Sequence, residues 1–339
     1  MKTTLDIQEN IALAPYTTLK IGGPARYFTT VDSEPQLIEA ATFARAHSVP
    51  IFILGGGSNI LVADRGFQGL IIRPLFKGRE IIEENNNNVI LRIGAGEVLD
   101  DVIAWTVKKG WWGLENLSFV PGLVGALAIQ NVGAYGQEAS QVIDSVEVYD
   151  LEAQLSKLKY QNECGFTYRH SRFNTSDKNR FIILRITIKL SKKGIPNISY
   201  KDLREYFGNR RPNQQELREV IIKIRTQKGQ DPSVVWTCGS FFSNFRLTNE
   251  EFNKLLQRIE HAEELNNLVR KITAPSDEEK IKVPAAWILD RICKLKGFQV
   301  GGVKLSEKQV LNLVNTGNAT AADCIRLFES VRNIVRKKT

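Results

Sequence analysis

Leu54-Gly55-Gly56-Gly57-Ser58-Asn59 is the stretch that decides the fold, and it comes directly after the short apolar run Ile51–Leu54. Three consecutive glycines let backbone N–H groups turn towards one point, and Ser58 and Asn59 add side-chain donors. This arrangement predicts a nest for phosphate oxygens. It is neither GxGxxG nor a P-loop, which disfavours ATP hydrolysis and the ordinary dinucleotide fold. A plain glycine turn is the alternative.

A second glycine-rich region follows, with Val120–Ala126 (VPGLVGA) running on into Ile129–Gly136 (IQNVGAYG). Its glycines and small apolar residues let the backbone approach a flat aromatic ligand closely, with N–H and C=O groups free to bond the ligand's edge. Two such regions predict a long ligand that carries both a pyrophosphate and a ring system. FAD fits that description.

The composition is that of a globular protein. The chain has 339 residues, 42% hydrophobic and 24% charged, which excludes a disordered chain and favours two or perhaps three domains. It holds no apolar run long enough to span a membrane, and its start lacks the plan of a secretory signal. We therefore expect a soluble, cytoplasmic protein with no membrane span.

Charge, cysteine and histidine usage narrow the function classes further. The net charge of +9 is spread along the chain, which suits a solvated surface or small polyanionic ligands better than nucleic acid, so no nucleic-acid partner is expected. The 4 cysteines form no CxxC pair, and the 3 histidines form no HExxH motif or hydrolase triad. We expect reduced structural thiols and no metal.

Hydrophobic periodicity predicts an alternation of strands and helices. The predicted helices are 35–46, 100–109, 214–225, 285–294 and 320–335. The predicted strands are 51–54, 69–73, 145–150, 181–190 and a strand-like stretch around 298–305, with a hairpin over 79–94 whose tip is Asn85–Asn88. The helix over 214–225 is interpreted as the first helix of a second domain. This is an α+β pattern.

Several motifs, in order along the chain, resemble those of the UDP-N-acetylenolpyruvoylglucosamine reductases. They are Thr17–Ala25 (TTLKIGGPA), LGGGSN, Gly113–Ala126 (GLENLSFVPGLVGA), IQNVGAYG, Gly165–Phe173 (GFTYRHSRF) and Gly239–Asn244 (GSFFSN). The resemblance implies an FAD-binding region of the vanillyl-alcohol-oxidase (PCMH) type over 1–205, in two lobes of about 1–70 and 71–205. A smaller α+β substrate-binding domain over 206–339 follows.

The resemblance also implies the activity: NADPH-dependent reduction of UDP-N-acetylglucosamine enolpyruvate to UDP-N-acetylmuramate through bound FAD, in peptidoglycan precursor synthesis. FAD is expected to bind tightly but not covalently, since GGGSN offers no His or Cys tether. The residues implied to bind it are Gly55, Gly56, Gly57, Ser58, Asn59, Pro121, Gly122, Gly125, Ala126, Ile129, Val132 and Gly133.

Reduction of an enolpyruvyl ether builds negative charge beside a carboxylate, and that charge needs a cation and then an acid. By resemblance, Arg169 supplies the cation and Ser240 the proton. Without the motifs, a salt-bridge arginine and a turn or cap serine are the alternatives. Tyr168, Tyr200, Lys228, Asn244 and Gln299 are implied to bind the substrate. Tyr200 could equally be a surface tyrosine and Gln299 the flank of a β-turn. A monomer is expected.

Three departures from the family pattern qualify the resemblance. Leu127-Ala128 stands where the family has a small residue and proline, and Gly229-Gln230 replaces Leu-Pro after Lys228. The family also continues into a strand with Leu-Glu-Pro-Glu-Val, whose glutamate acts with the arginine and serine. No residue here matches that glutamate, so the second domain is expected to lack its last strand. A flavin-binding protein with impaired activity, and another oxidase or dehydrogenase on the same fold, stay open as alternatives.

Overall fold

The computed structural model describes residues 5–273 and 279–339. The chain divides into two compact units. Unit 1 comprises Met1–Ala12, Pro24–Gly57 and Gly66–Thr226, and unit 2 comprises Leu13–Gly23, Ser58–Arg65 and Gln227–Thr339. The boundary between the two units falls inside the LGGGSN loop. Its three glycines belong to unit 1, and Ser58 and Asn59 belong to unit 2.

The first lobe of unit 1 is a four-stranded sheet with one helix. Its strands are β1 (Gln8–Ala12), β2 (Pro24–Val31), β3 (Ile51–Ile53) and β4 (Phe67–Pro74), in the order β1-β2-β4-β3. β4 runs parallel to both of its neighbours, and β1 is antiparallel to β2. Helix α1 (Glu34–Ala46) buries Leu37, Ala40, Ala41 and Ala44, whereas Ile38 is 45% exposed.

The second lobe of unit 1 is a five-stranded antiparallel sheet. Its order is β10-β9-β11-β6-β5, and a separate two-stranded hairpin, β7-β8, precedes β9. Helix α2 packs Val102 and Ile103 onto the apolar face of this sheet. The bounds are β5 (Arg79–Glu84), β6 (Asn88–Gly94), α2 (Leu99–Lys108), α3 (Ala126–Ile129), β7 (Gly133–Ala134), β8 (Gln137–Glu138), β9 (Ile143–Asp150), β10 (Leu155–Tyr160), β11 (Phe181–Ser191), α4 (Lys201–Phe207) and α5 (Gln214–Gln227).

Helix α5 lies in unit 1 up to Thr226, not in the second domain where the sequence interpretation placed it. Its apolar face packs against Leu203 and Phe207 of α4 and against Tyr135. The amphipathic pattern predicted the helix correctly but carried no information about which partner covers that face. The contacts therefore put the unit boundary at 226/227 rather than at 205/206.

The described residues of unit 2 form two small antiparallel sheets, ordered β12-β18-β17-β16 and β13-β15-β14, and four α-helices. The predicted helix over 285–294 is a short α-helix followed by one π-helical turn, Ile288–Ile292. The stretch predicted around 298–305 is a hairpin. The bounds are β12 (Thr237–Ser240), β13 (Phe245–Leu247), α6 (Asn249–Arg258), α7 (Ala262–Leu268), β14 (Arg270–Thr273), β15 (Glu279–Val283), α8 (Ala285–Trp287), β16 (Gln299–Val300), β17 (Val303–Leu305), β18 (Asn312–Asn315) and α9 (Ala321–Lys338).

The core of unit 2 is completed by two short segments from the N-terminal part of the chain. Leu19 and Ile21 of the TTLKIGGPA motif are buried in it, with α9 packed through Leu327 and Val331. Asp64 accepts hydrogen bonds from the Ala321 and Ala322 N–H groups at the start of α9, at 2.7 and 3.0 Å. A carboxylate at this end of a helix is stabilising because it bonds unpaired amides and opposes the positive pole of the helix dipole.

The four cysteines are buried thiols, as expected. Burial raises the pKa of Cys238 to about 11, so this thiol stays protonated at neutral pH. Within the described ranges, no helix is both long and apolar enough to cross a membrane.

Candidate active site

The two glycine-rich segments of unit 1 are in backbone contact. A Cβ atom placed on Gly56 would lie 2.8 Å from Gly122 Cα, which is closer than real Cβ contacts allow. Gly57 and Gly122 have φ of +64° and +124°, conformations that favour glycine. A Cβ on Gly55 would meet no described atom within 4 Å. The loop therefore needs glycine at its inner side and is open at Gly55.

The segment from Gly122 to Gly125 is held like an additional strand against residues that follow β6. Gly122 O accepts from Leu99 N at 3.1 Å, and the N–H groups of Val124 and Gly125 donate to Glu97 O and Ala95 O, both at 2.9 Å. These bonds fix the backbone, so the segment can face a ligand without reorganisation. Ala126 and Ile129 then begin and end α3, which places the next predicted cofactor residues on one short helix.

A partly buried ion pair holds the chain at Phe119, just before this segment. Both Nη atoms of Arg218, on α5, donate to the Asp100 carboxylate at 2.6 and 2.8 Å, and Phe119 N donates to it at 2.6 Å. Burial opposes the ionisation of Asp100, but the Arg218 and Phe119 hydrogen bonds outweigh it and lower its pKa. Phe119 itself has φ +62°, an unusual conformation for an aromatic residue that these contacts sustain.

Arg225 is a second arginine of α5 that bonds Phe119. Its Nε donates to Phe119 O at 3.1 Å, and its guanidinium is hydrogen-bonded to the Tyr135 hydroxyl. Burial lowers the pKa of Arg225 and raises that of Tyr135 to about 12. Through Arg225, helix α5 thus connects Phe119, just before the second glycine-rich region, to Tyr135 of the IQNVGAYG segment.

Arg169 lies at the tip of a tight turn. Thr167 and His170 close the turn by exchanging backbone hydrogen bonds of 3.0 and 3.1 Å, and Arg169 has φ +62°. Its Nη2 donates to Gly133 O at 2.5 Å, and a Cβ on Gly133 would lie 3.0 Å from Nη1. The structure therefore brings the predicted catalytic arginine against Gly133, a predicted flavin-binding residue.

Two polar side chains tie the arginine turn to the predicted flavin-binding segment. Asn131 Nδ2 donates to Thr167 O at 3.1 Å, and its Oδ1 accepts from Ser140 N at 2.9 Å. Ser171 Oγ donates to Ile129 O at 2.7 Å. Arg169 is exposed, yet its backbone is anchored on both sides, which suits a cation that must be held in place.

Tyr168 and Tyr200 lie beside Arg169. The Arg169 guanidinium carbon is 5.2 Å from the centre of the Tyr168 ring. Tyr200 packs edge-to-face on Tyr135 at 5.1 Å. Burial, helped by Asp202 and Tyr168, raises the pKa of the Tyr200 hydroxyl, and Arg169 opposes that shift. The Tyr200 hydroxyl is therefore neutral at physiological pH.

Ser240 lies in unit 2, at the end of β12. Gly239 before it has φ +76°, and the Ser240 side chain is exposed. Its Oγ donates to Asn312 Oδ1 at 3.4 Å. Gln299 lies on β16, three strand positions away in the sheet or about 14 Å at the usual strand spacing. The two residues are on one sheet but do not touch.

The other predicted substrate residues of unit 2 are Asn244, Gln299 and Lys228, and each has neighbours within that unit. Asn244 Oδ1 accepts from Ala285 N at 3.1 Å at the start of α8. Gln299 Nε2 donates to Gly301 O at 2.9 Å within its hairpin. This bond agrees with the alternative in which Gln299 flanks a β-turn. Lys228 precedes Gly229, a residue with φ +67° beside the Lys308 side chain.

Sequence reasoning missed the residues that support the site. They are Asp100, Tyr135, Arg218, Arg225 and Asn312. The available signals were an arginine at each end of the apolar stripe of α5 and an asparagine inside the apolar stretch around β18. Neither signal identifies its partner without the fold.

The Gly55–Gly57 loop, called the glycine cradle below, is open at Gly55. The stretch from Gly122 to Gly133, called the anchored segment below, is held by backbone hydrogen bonds at one end and by Arg169 at the other. Residues 25–158 match the family described as FAD binding domain. Fold and site together define an FAD-binding α+β protein with a distinct C-terminal unit. Residues 231–339 match the family described as UDP-N-acetylenolpyruvoylglucosamine reductase, C-terminal domain.

Curated relatives identify the family. A UDP-N-acetylenolpyruvoylglucosamine reductase from Thermobifida fusca is 37% identical, over 97% of this chain and 94% of the relative. One from Pseudomonas aeruginosa is 32% identical, over 99% and 96%. The crystal structure of such a reductase from Thermus caldophilus has the same fold, with a TM-score of 0.68 at 23% identity over 97% and 95% of the two chains. The chain belongs to the UDP-N-acetylenolpyruvoylglucosamine reductase family.

These matches confirm the predicted family. They also confirm the predicted fold class, a mixed α+β chain in which an FAD-binding region is followed by a separate C-terminal domain.

Proposed function

We propose that this chain reduces UDP-N-acetylglucosamine enolpyruvate to UDP-N-acetylmuramate with FAD and NADPH, in peptidoglycan precursor synthesis. The observation that carries the proposal is the similarity to reductases of that name along nearly the whole length of both chains. It also disfavours the alternative of a flavin-binding protein with impaired or different activity.

The glycine cradle and the anchored segment would hold FAD non-covalently. The residues proposed for this are Gly55, Gly56, Gly57, Ser58, Asn59, Pro121, Gly122, Gly125, Ala126, Ile129, Val132 and Gly133. When bound, FAD supplies the transfer of a hydride from NADPH to the enolpyruvyl double bond. The protein supplies orientation and electrostatics.

Arg169 is proposed to stabilise negative charge on the substrate carboxylate and the adjacent carbon. A guanidinium suits this role because its planar fork can bind both carboxylate oxygens and it keeps its charge at all relevant pH values. Its turn supports the proposal, since the contact with Gly133 O holds the guanidinium at the edge of the flavin-binding segment.

Ser240 is proposed to donate the proton to the carbon beside the carboxylate. The left-handed Gly239 and the end of β12 leave its hydroxyl exposed and oriented by the strand. An unperturbed hydroxyl is a weak acid, so its oxygen must be stabilised as the proton leaves.

Substrate binding is proposed for Tyr168, Tyr200, Lys228, Asn244 and Gln299. Tyr200 and Tyr168 surround Arg169, and Lys228 offers a point charge suited to a diphosphate. The protein would act as a cytoplasmic monomer.

The test is an anaerobic redox cycle on the purified protein. The protein should be yellow, NADPH should bleach the flavin, and the UDP-enolpyruvyl sugar should restore the colour. Absence of flavin contradicts the proposal. Bleaching by NADPH without recolouring favours the alternatives of impaired or different activity.

A further inference from the structure

Asn312 lies opposite Ser240, on the neighbouring strand of unit 2. Strands β12 and β18 are antiparallel, and their register places Ser240 opposite Asn312. Asn312 is fully buried, with 0% of its surface exposed, whereas Ser240 is exposed. The Asn312 backbone is held at both groups, with its N–H donating to Gln309 O at 2.8 Å and its carbonyl accepting from Ser306 N at 2.9 Å.

Only one of the two polar atoms of the Asn312 side-chain amide is hydrogen-bonded within the described residues. Its Oδ1 accepts the Ser240 hydroxyl at 3.4 Å, but its Nδ2 has no hydrogen-bond partner in the part of the chain that the structure describes. Buried amide N–H groups are almost always paired, because leaving one unpaired costs the hydrogen bonds it made to water. An unpaired donor next to an exposed hydroxyl therefore calls for a functional explanation.

The chemistry proposed for Ser240 requires such a donor. While the hydroxyl keeps its proton, it needs an acceptor to orient it, and once the proton leaves, the oxygen needs a donor. One amide offers both, because oxygen and nitrogen exchange places when the planar group turns about its soft terminal torsion. The 3.4 Å separation leaves room for this bond to shorten as charge develops.

We propose that Asn312 is a positioning residue for Ser240, which orients the hydroxyl through Oδ1 and stabilises the oxygen through Nδ2 as the proton leaves. The inference rests on the proposed function. In the step, the Ser240 O–H bond breaks and a C–H bond forms at the carbon beside the substrate carboxylate. The electron pair of the O–H bond stays on Oγ, which then regains a proton from water.

Two variants of the full FAD-loaded protein test this role. Asn312→Leu removes both polar functions at similar volume, and Asn312→Asp keeps an acceptor but loses the donor. Asn315→Asp is the matched control, since it makes the same change on the same strand, where the side chain bonds Leu19 O instead of Ser240.

Both Asn312 variants should be bleached by NADPH at the wild-type rate and recoloured by the UDP-enolpyruvyl sugar about 100-fold more slowly. Recolouring should also show a larger solvent deuterium isotope effect, which a purely structural role would not produce. The double variant Ser240→Ala/Asn312→Leu should be no slower than Ser240→Ala, because the two residues act on one proton. Asn315→Asp should leave recolouring unchanged.

The outcomes separate the two proposals. Suppose that Ser240→Ala recolours slowly. If both Asn312 variants then recolour at the wild-type rate, or if they are slowed equally in bleaching and in recolouring, the role of Asn312 is refuted and Ser240 keeps its role. If Ser240→Ala itself recolours at the wild-type rate, the acid role of Ser240 falls, and the role of Asn312 falls with it.

Discussion

Gly56→Ala should destabilise the protein even without flavin, because the added methyl group meets backbone rather than a flexible side chain. Its Cβ would lie 2.8 Å from Gly122 Cα, so the two loops must separate by about 0.6 Å to reach the 3.4 Å of ordinary contact. Overpacking of this kind typically costs about 1–3 kcal/mol. At ~2–4 °C per kcal/mol for a unit of this size, the apo protein should melt ~2–12 °C lower.

Gly55→Ala is the matched control one residue away. Neither glycine has a left-handed φ, so the backbone conformation is equally accessible to alanine at both positions. A Cβ on Gly55 meets no described atom within 4 Å, and the apo protein should melt at the wild-type temperature or slightly above it, since alanine restricts the unfolded chain. If the open side of the loop takes the FAD pyrophosphate, Gly55→Ala should still weaken flavin binding.

The measurements are thermal unfolding of both apo variants and titration of each with FAD by flavin fluorescence. Gly56→Ala should lose both stability and flavin affinity, and Gly55→Ala flavin affinity alone. Wild-type melting of apo Gly56→Ala, or an equal loss of stability in both variants, would refute the packing argument. Wild-type FAD affinity in both would remove the loop from the cofactor site.

The remaining predictions concern the groups around the cradle. Asp100→Asn should cost about 1–3 kcal/mol in urea unfolding, because Arg218 loses its charged partner. The lowered Asp100 pKa means that this stability is present above pH 3.8 and lost as the pH falls through the folded-state pKa; an identical acid dependence in Asp100→Asn would contradict this. Tyr135→Phe should cost about 1–2 kcal/mol by removing the bond to Arg225. The raised Tyr135 pKa predicts a loss of wild-type stability as the pH rises from 10 towards about 12, which the variant should lack. Arg169→Met should slow recolouring by about 100-fold or more and spare bleaching in stopped-flow absorbance; equal slowing of both would deny Arg169 its role at the substrate.

Much of the fold follows from local sequence pattern. The β-branched run over 181–190 and the Asn85–Asn88 tip led to the correct strands because period and turn chemistry are local properties. The prediction of a helix over 285–294 was wrong in type after Trp287. There the chain forms a π-helical turn, which side-chain periodicity does not distinguish from an α-helix.

The supporting residues could not be predicted, because their roles depend on partners far away in sequence. Arg225 looks like a solvated charge on an amphipathic helix, yet it is half-buried and bonded to the carbonyl of Phe119, 106 positions earlier. Asn312 could be noticed as a polar residue among apolar ones, but only the pairing of β12 with β18 places it opposite Ser240. Arg169 and Ser240 came from motif resemblance, and their chemical roles stay predictions.

The most direct test of the central claim is to identify the product. The purified FAD-loaded protein is incubated anaerobically with NADPH and UDP-N-acetylglucosamine enolpyruvate, and the nucleotide sugar is analysed by mass spectrometry. The proposed function predicts UDP-N-acetylmuramate, heavier than the substrate by two hydrogen atoms, with one NADPH oxidised per product formed. Recovery of unchanged substrate, from a protein whose flavin NADPH reduces, would contradict it.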